Sequence, residues 1–196
     1  LANLIFAMHL SSAGISYTCS PHGAYQPNAM EKNTILKKLW LIYERRVLNG
    51  SAGVQVTNVL EEQNLRRLGV YNTFSLYTPM TTPSKLWHKN SQQYIAWFGR
   101  YDINIKGIDL LLEQYTKVPT ENRIKLKLRG RNSVNTLDEG QKLIEDKDLS
   151  MWVEAGPGID GEEKEQFLLN AKYFVMPSRS ESLGIVLLEA LGLGVP

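Results

Sequence analysis

The chain has 196 residues, with 22 Lys and Arg against 20 Asp and Glu, and 43% of its residues are hydrophobic. This composition excludes a disordered chain, and a single cysteine excludes a disulfide-stabilised scaffold. No apolar run reaches the roughly 18 residues of a membrane-spanning helix. The length suits one domain or two small ones.

Charge is distributed unevenly along the chain. Residues 1–90 hold 9 Lys and Arg and 4 Asp and Glu, whereas residues 91–196 hold 13 and 16. The net charges of +5 and −3 indicate two units with different partners. The basic residues are too few and too scattered for a nucleic-acid interface, so no nucleic-acid partner is expected.

The ends of the sequence are unlike those of a whole protein. The chain begins at Leu1 without a methionine or a signal-peptide pattern, and it ends at Pro196 directly after an apolar run typical of a helix. We therefore expect an internal piece of a longer chain.

Hydrophobic spacing predicts the elements of the first part in chain order. They are a helix over 2–12, a strand over 15–20, a helix over 30–48, a strand over 53–57, a helix over 58–68 and a strand over 71–77. Prolines, small polar residues and the lack of a hydrophobic period predict a linker over residues 81–90. We expect one domain over 1–80 and a second over 91–196.

Strands and helices alternate regularly in the second part. Strands are predicted over 94–98, 124–128, 149–154 and 173–176, with helices over 107–115, 138–144, 161–170 and 183–193. This order is typical of parallel βαβ units and predicts a doubly wound α/β fold. Ligands of such folds bind at the carboxyl ends of the strands.

A first cluster of candidate residues follows the strand over 94–98. Gly99 allows a tight turn, and Arg100 and Lys106 flank the loop that leads into the next helix. Both cations and the helix N-terminus favour an anion there, and a diphosphate suits them. The alternative is a solvated pair beside a turn.

A second cluster follows the strand over 173–176. Glu181 lies at the strand–helix junction, Gly184 lies in the first helical turn, and Glu189 lies about two turns further along an apolar helix. A carboxylate on so apolar a helix needs a partner when buried, and a ribose or sugar hydroxyl would suit it. The alternatives are a helix N-terminal charge at Glu181 and an edge salt bridge at Glu189.

His22 is a third candidate, held between Pro21 and Gly23 directly after a strand. It could bond a sugar hydroxyl or balance charge on a transferring group, or it could be an ordinary polar turn residue. No Cys or His pair has metal-ligand spacing, and no phosphate-loop or dinucleotide glycine motif occurs.

Taken together, these residues resemble the group 1, or family 4, retaining glycosyltransferases of the GT-B fold. The most specific part is Glu-x7-Glu, Glu181 to Glu189, within PSRSESLGIVLLEALGLGVP, followed by Arg-x5-Lys in GRYDINIKGIDLLL. SPHGAY and AGVQVTNVLE look like the family's first domain. The resemblance implies two Rossmann-like domains with parallel sheets, both incomplete here, with the acceptor side over 1–80 and the nucleotide-sugar donor side over 91–196.

The resemblance also implies roles for individual residues. Arg100 and Lys106 would hold the donor diphosphate, with Gly99 at their turn, and Glu189 would bind the ribose. Glu181 and His22 would bind the transferred sugar, and the implied catalytic residues are His22, Arg100, Lys106 and Glu181. The remaining donor-site residues are Gly130, which would shape the base pocket, and Leu183, Gly184 and Ile185, which would present backbone groups.

The implied reaction moves a hexosyl or other glycosyl group from a UDP- or GDP-sugar to an acceptor hydroxyl with retention of configuration. No metal or other cofactor is expected, because the Arg and Lys pair carries the charge. The implied acceptor is a saccharide or a lipid-linked glycan of polysaccharide or glycoconjugate biosynthesis. The piece by itself is not expected to turn over substrate. Another GT-B nucleotide-sugar enzyme, such as an epimerase, or a non-catalytic nucleotide-sugar-binding fragment stays an alternative.

The helix over 30–48 suggests where the protein acts. Its basic residues surround an apolar stripe that includes Trp40, which is typical of a helix on an anionic membrane surface. The alternative is a helix that packs its apolar stripe inside the first domain. We expect a cytoplasmic protein, with peripheral contact at the inner face of the membrane as the further possibility.

Overall fold

The chain divides into two compact units, each built around a parallel sheet. One unit is Leu1–Pro79 together with Glu181–Leu183, and the other is Met80–Ser180 together with Gly184–Pro196. The computed structural model describes residues 2–25, 35–76, 83, 85–88, 94–131 and 136–196.

The first unit has a three-stranded parallel sheet in the order β1-β2-β3. Its strands are β1 (Thr18–Cys19), β2 (Gly53–Val56) and β3 (Thr73–Ser75), and its described helices are α1 (Ala2–Ser12), α2 (Ile35–Asn49) and α3 (Val59–Arg67). The core of this unit lies between β2 and α3, where Val54 and Leu65 are fully buried. Each such side chain removed from water stabilises the fold by about 1.5–3 kcal/mol.

The second unit has a four-stranded parallel sheet in the order β6-β5-β4-β7. Its strands are β4 (Tyr94–Phe98), β5 (Leu126–Gly130), β6 (Val153–Pro157) and β7 (Ala171–Phe174). Its described helices are α4 (Ile103–Lys106), α5 (Ile108–Thr116), α6 (Thr136–Glu145), α7 (Gly161–Leu169) and α8 (Ile185–Leu193).

Helices cover both faces of this second sheet. Trp97 of β4 packs into a core with α5 and α6, whereas its neighbour Ala96 packs into a core with α7 and α8. Successive side chains of a strand point to opposite faces, so one strand serves both cores. The predicted α/β fold with parallel sheets is confirmed.

Some predicted boundaries differ from the observed ones. The helix predicted over 107–115 is α5, and the short helix α4 directly before it was not predicted; Gly107, in the left-handed conformation with φ 65°, ends α4 and begins α5. The strand predicted over 149–154 begins only at Val153, because the chain turns at Leu149, whose carbonyl accepts bonds from the Trp152 and Val153 N–H groups. Leu149 belongs to a turn and not to a strand, although its apolar side chain is buried as that of a strand residue would be.

Predicted elements at the ends of the first sheet are shorter than expected. The strand predicted over 15–20 is limited to Thr18–Cys19. Of the strand predicted over 71–77, the described residues 71–76 form a strand over Thr73–Ser75, and residue 77 lies outside the described residues. The helix predicted over 30–48 is described from Ile35 onward, and residues 30–34 lie outside the described residues.

Part of the predicted linker packs onto the second unit. The backbone N–H of Trp87 donates to the Leu193 carbonyl at 2.8 Å, and its indole N–H donates to the Ala171 carbonyl at 2.7 Å. Trp87 also contacts the core on that side of the sheet. The described residues of 81–90 are therefore attached to the second unit, and the division between the units falls between Pro79 and Met80.

None of the helices within the described ranges combines the length and the apolar character that crossing a bilayer requires.

Candidate active site

Two predicted site glycines lie side by side where β4 and β5 end. The Gly99 N–H donates to the Arg129 carbonyl at 3.1 Å. A Cβ atom at Gly130 would lie 1.7 Å from the Gly99 carbonyl oxygen, so no side chain fits at this position. The two strand ends approach this closely because Gly130 has no side chain.

Tyr101 ties together the ends of three strands, a role that sequence reasoning missed. Its ring is fully buried, and its hydroxyl lies 3.0 Å from the Leu128 carbonyl oxygen and 2.9 Å from that of Gly156. The same hydroxyl accepts a bond from the Gly156 N–H at 3.0 Å. Burial raises the pKa of Tyr101 to about 12, so the phenol stays protonated and can donate at neutral pH. The sequence held one indication of this role, which is that Tyr101 is an aromatic residue among polar residues directly after a strand.

The two predicted phosphate-binding cations lie at the end of β4. Arg100 is exposed, whereas Lys106 is half-buried in the last turn of α4. The Lys106 side chain runs beside Gly99, since a Cβ atom there would lie 3.9 Å from Lys106 Cδ. Asp102 begins α4 by accepting a bond from the Ile105 N–H at 3.0 Å, and this cap fixes the turn between the two cations.

The segment after β7 packs against this same region. A Cβ atom at Gly107 would lie 2.1 Å from the Pro177 carbonyl oxygen, so the two backbones can meet only at a glycine. The Arg179 N–H donates to the Ile105 carbonyl at 2.8 Å. Because β4 and β7 are neighbours in the sheet, the sequence clusters after them meet at its carboxyl edge.

The predicted residues before α8 form the turn that begins this helix. Glu181 and Leu183 are half-buried, Gly184 is buried with φ 63°, and Ile185 is exposed at the first helical position. The left-handed conformation of Gly184 is one that other residues adopt at a cost. A helix leaves its first N–H groups without partners inside it, so this turn provides backbone donors.

Glu189 forms an ion pair with Lys164 of α7, a residue that sequence reasoning missed. The side chains of Glu189 and Lys164 are 32% and 17% exposed, and the Lys164 ammonium also lies 4.8 Å from the centre of the Phe98 ring. Both line a cavity of about 420 Å³ between α7 and α8. The structure therefore supplies a cationic partner for the carboxylate, the edge salt bridge that was the alternative for Glu189. Its role toward a ribose stays a prediction.

His22 lies in the first unit, in the turn after β1. It is exposed and adopts φ 49°, an uncommon conformation for a residue with a side chain. The next N–H, that of Gly23, donates to the Glu61 carboxylate at 2.6 Å. Glu61 is fully buried and also accepts bonds from the Thr57 N–H at 3.1 Å and the Thr57 hydroxyl at 2.9 Å.

Two further observations concern reactive or metal-binding groups. Burial raises the pKa of the Cys19 thiol, which favours the protonated and less nucleophilic form. Within the part of the chain that the structure describes, no three His, Cys, Asp or Glu side chains group as metal ligands. Catalysis without a metal stays a prediction.

Comparison with known proteins identifies the family. The family model described as glycosyl transferases group 1 matches residues 81–196, more than half of the chain. The chain belongs to the group 1 glycosyltransferases. No curated protein matches the sequence.

Three solved structures have a fold similar to that of this chain. A mutant of Staphylococcus aureus TarM, solved with UDP, is 22% identical with a TM-score of 0.74 over 93% of this chain and 36% of its own. Sucrose-phosphate synthase from Thermosynechococcus elongatus is 21% identical and has a TM-score of 0.76; the match covers 93% of this chain and 49% of the synthase. Anabaena HepE, solved with UDP and glucose, is 15% identical and has a TM-score of 0.81; the match covers 98% of this chain and 55% of HepE.

The similarity to these structures assigns the chain to the GT-B fold. The chain spans between about a third and just over half of the length of these proteins.

Proposed function

We propose that this chain carries the donor site of a retaining glycosyltransferase of family 4. The observation that carries the proposal is the meeting of two sequence clusters at neighbouring strand ends. Arg100 and Lys106 follow β4, and the Glu181 to Glu189 segment follows β7. The reaction transfers a hexosyl group from a UDP- or GDP-sugar to an acceptor hydroxyl without a metal ion.

In this proposal the cations act on the leaving group. The bond between the anomeric carbon and the β-phosphate oxygen breaks, and a bond from the acceptor oxygen to that carbon forms. The acceptor hydroxyl releases its proton to solvent, and the nucleoside diphosphate leaves with one more negative charge. Arg100 and Lys106 stabilise that charge, and each charged hydrogen bond contributes about 1.5–3 kcal/mol. The start of α8, with Leu183, Gly184 and Ile185, adds backbone donors.

The other proposed contacts determine which donor is bound. Glu189 accepts bonds from the ribose hydroxyls, Gly130 helps to shape the base pocket, and Glu181 binds hydroxyls of the transferred sugar. His22 of the first unit bonds the same sugar. The TarM structure that contains UDP and the HepE structure that contains UDP and glucose support a donor of this class.

The proposed setting is polysaccharide or glycoconjugate biosynthesis in the cytoplasm, on a saccharide or lipid-linked acceptor. Contact with the inner face of the membrane is supported by α2. Ile42 and Tyr43 on this helix are 57% and 55% exposed, and the neighbouring Arg45 and Arg46 are exposed as well. Apolar and basic side chains exposed together favour an anionic lipid surface.

Calorimetric titration with UDP and with GDP tests the donor site. We expect Arg100→Ala and Glu189→Ala each to weaken binding of the preferred nucleotide by about 10- to 100-fold, the loss of one charged hydrogen bond. Lys117→Ala, which removes an exposed cation of the α5 end, serves as the control. Unchanged affinity in both site variants would overturn the assignment.

Donor turnover tests the reaction itself. Sugar transfer by the full-length protein from the matching nucleotide sugar is expected to be lost in Glu181→Ala. The anomeric configuration of the product, read by NMR coupling constants, tests retention.

A further inference from the structure

We propose that Arg179 is a positioning residue, which holds the segment after β7 against the short helix α4 that presents Lys106. The inference rests on the proposed function, in which these two segments bind the two ends of one donor. Arg179 pairs with Asp109, which lies 70 positions away in the sequence. Sequence reasoning singled out neither residue.

Arg179 contacts the α4–α5 region at three points. Its Nη1 and Nη2 atoms donate to Oδ1 and Oδ2 of Asp109, both at 2.7 Å. Nη1 also donates to the Asn104 carbonyl at 2.7 Å, and the backbone N–H bonds to the Ile105 carbonyl at 2.8 Å. The side chain and main chain of one residue therefore bond to both α4 and the first turn of α5.

The geometry of this bridge requires arginine. A planar guanidinium can donate two parallel bonds to one carboxylate and a further bond elsewhere, whereas an ammonium acts as a point charge. The bonds from Arg179 hold the pKa of Asp109 below its ordinary value, so the carboxylate stays ionised at neutral pH. Asp109 also lies in the first turn of α5, where the helix dipole favours a negative charge.

The bridge between Arg179 and Asp109 orients the segment after β7 relative to α4 more than it stabilises the folded protein. The Arg179 and Asp109 side chains are 36% and 38% exposed, and ion pairs in that range contribute little to unfolding free energy. Where the backbones meet, at Gly107 and Pro177, the approach is already close and leaves little room for adjustment. A small rotation of this contact would move Lys106 relative to the Glu181 segment, and misplacement of about 1 Å can cost about 100-fold in rate.

The competing role for Arg179 is that of a direct phosphate ligand. The two roles differ in what Asp109 does. If Arg179 positions the segment through Asp109, loss of the carboxylate has the same effect as loss of the guanidinium. If Arg179 binds phosphate, neutralising Asp109 releases the guanidinium and strengthens binding or leaves it unchanged.

The experiment compares Arg179→Lys, Asp109→Asn and the double variant with Arg66→Lys, a matched change in an Arg–Glu pair of the first unit. The measurements are UDP affinity, amide hydrogen exchange over 103–107 and 177–184, and, in the full-length protein, kcat and KM with UDP-glucose (or the GDP forms, if preferred). We expect both single variants to lower kcat by about 10- to 100-fold, with UDP affinity changed less than about threefold. The double variant should be no worse than either single one. Exchange in both segments should rise, and Arg66→Lys should change none of these quantities.

Three results would overturn the inference: additive losses in the double variant, weaker UDP binding in Arg179→Lys alone, or unchanged hydrogen exchange in both segments. Failure of the proposed function is a separate result, in which the unmodified protein binds neither UDP nor GDP. Hydrogen exchange tests the bridge in that case as well, because it needs no substrate.

Discussion

At the scale of single residues, the Glu61 carboxylate is a charge that burial and hydrogen bonds hold in place. It is fully buried, a location that costs free energy unless the charge is bonded. Three donors satisfy it, and one of them is the N–H of Gly23, directly after His22. Glu61 therefore fixes the turn that carries His22 in its unusual backbone conformation.

Replacing Glu61 by Gln tests this role. The amide keeps the shape but loses one acceptor atom, so a buried donor faces a donor. We expect the free energy of unfolding to fall by about 1–3 kcal/mol, measured by urea unfolding with circular dichroism. Glu62→Gln is the control, since Glu62 forms a half-exposed pair with Arg66 and its replacement should lower the free energy of unfolding much less. Equal losses in the two variants would contradict the role.

At the scale of elements, the close approach of β4 and β5 limits what can stand at their ends. Gly130 is buried at the last position of β5, against the carbonyl of Gly99. The strand ends could separate only by straining the hydrogen bond between them and the bonds of the buried Tyr101 hydroxyl. The site thus depends on the absence of a side chain as much as on the presence of charged ones.

Gly130→Ala is therefore expected to destabilise the second unit. Its new methyl group would start 1.7 Å from a carbonyl oxygen, so the strands must move, and overpacking of this kind costs about 1–3 kcal/mol. Thermal unfolding measures the loss. Gly140→Ala, on α6, is the matched control, because the nearest atom, Tyr101 Cδ1, is 3.3 Å away and alanine favours a helix by about 1 kcal/mol. A loss at Gly130 no greater than at Gly140 would show that the strands can separate easily.

At the scale of the whole molecule, charge and exposed apolar surface act together. The net charge of +5 lies in residues 1–90, and α2 in that part exposes apolar and basic side chains. Electrostatic attraction to anionic lipid is screened by salt, whereas insertion of apolar side chains is not. Salt dependence therefore separates the two contributions.

We expect the protein to sediment with vesicles of phosphatidylglycerol, to be partly released by high salt, and not to sediment with phosphatidylcholine alone. The double variant Ile42→Ser with Arg46→Glu should bind less, and Lys117→Glu in the second unit should bind as the unmodified protein does. Absence of binding to anionic vesicles at low salt would contradict membrane contact through α2.

The sequence by itself determined the class of fold and the candidate residues. Alternating strands and helices predicted the parallel sheet of the second unit, because hydrophobic periodicity is a local property. The spacings from Arg100 to Lys106 and from Glu181 to Glu189 are local as well, so both motifs can be recognised in the sequence alone. Exact boundaries were less predictable, since a turn such as that at Leu149 can bury an apolar residue as a strand does.

Only the tertiary structure decided which distant residues support the site. Arg179 meets Asp109 and Gly130 meets Gly99 because parallel strands bring their carboxyl ends to one edge of the sheet. Lys164 meets Glu189 because α7 and α8 pack on the same face of that sheet. The two members of each pair lie far apart in the sequence, and no spacing rule links such residues. Their partners depend on strand order, and strand order is a property of the folded sheet as a whole.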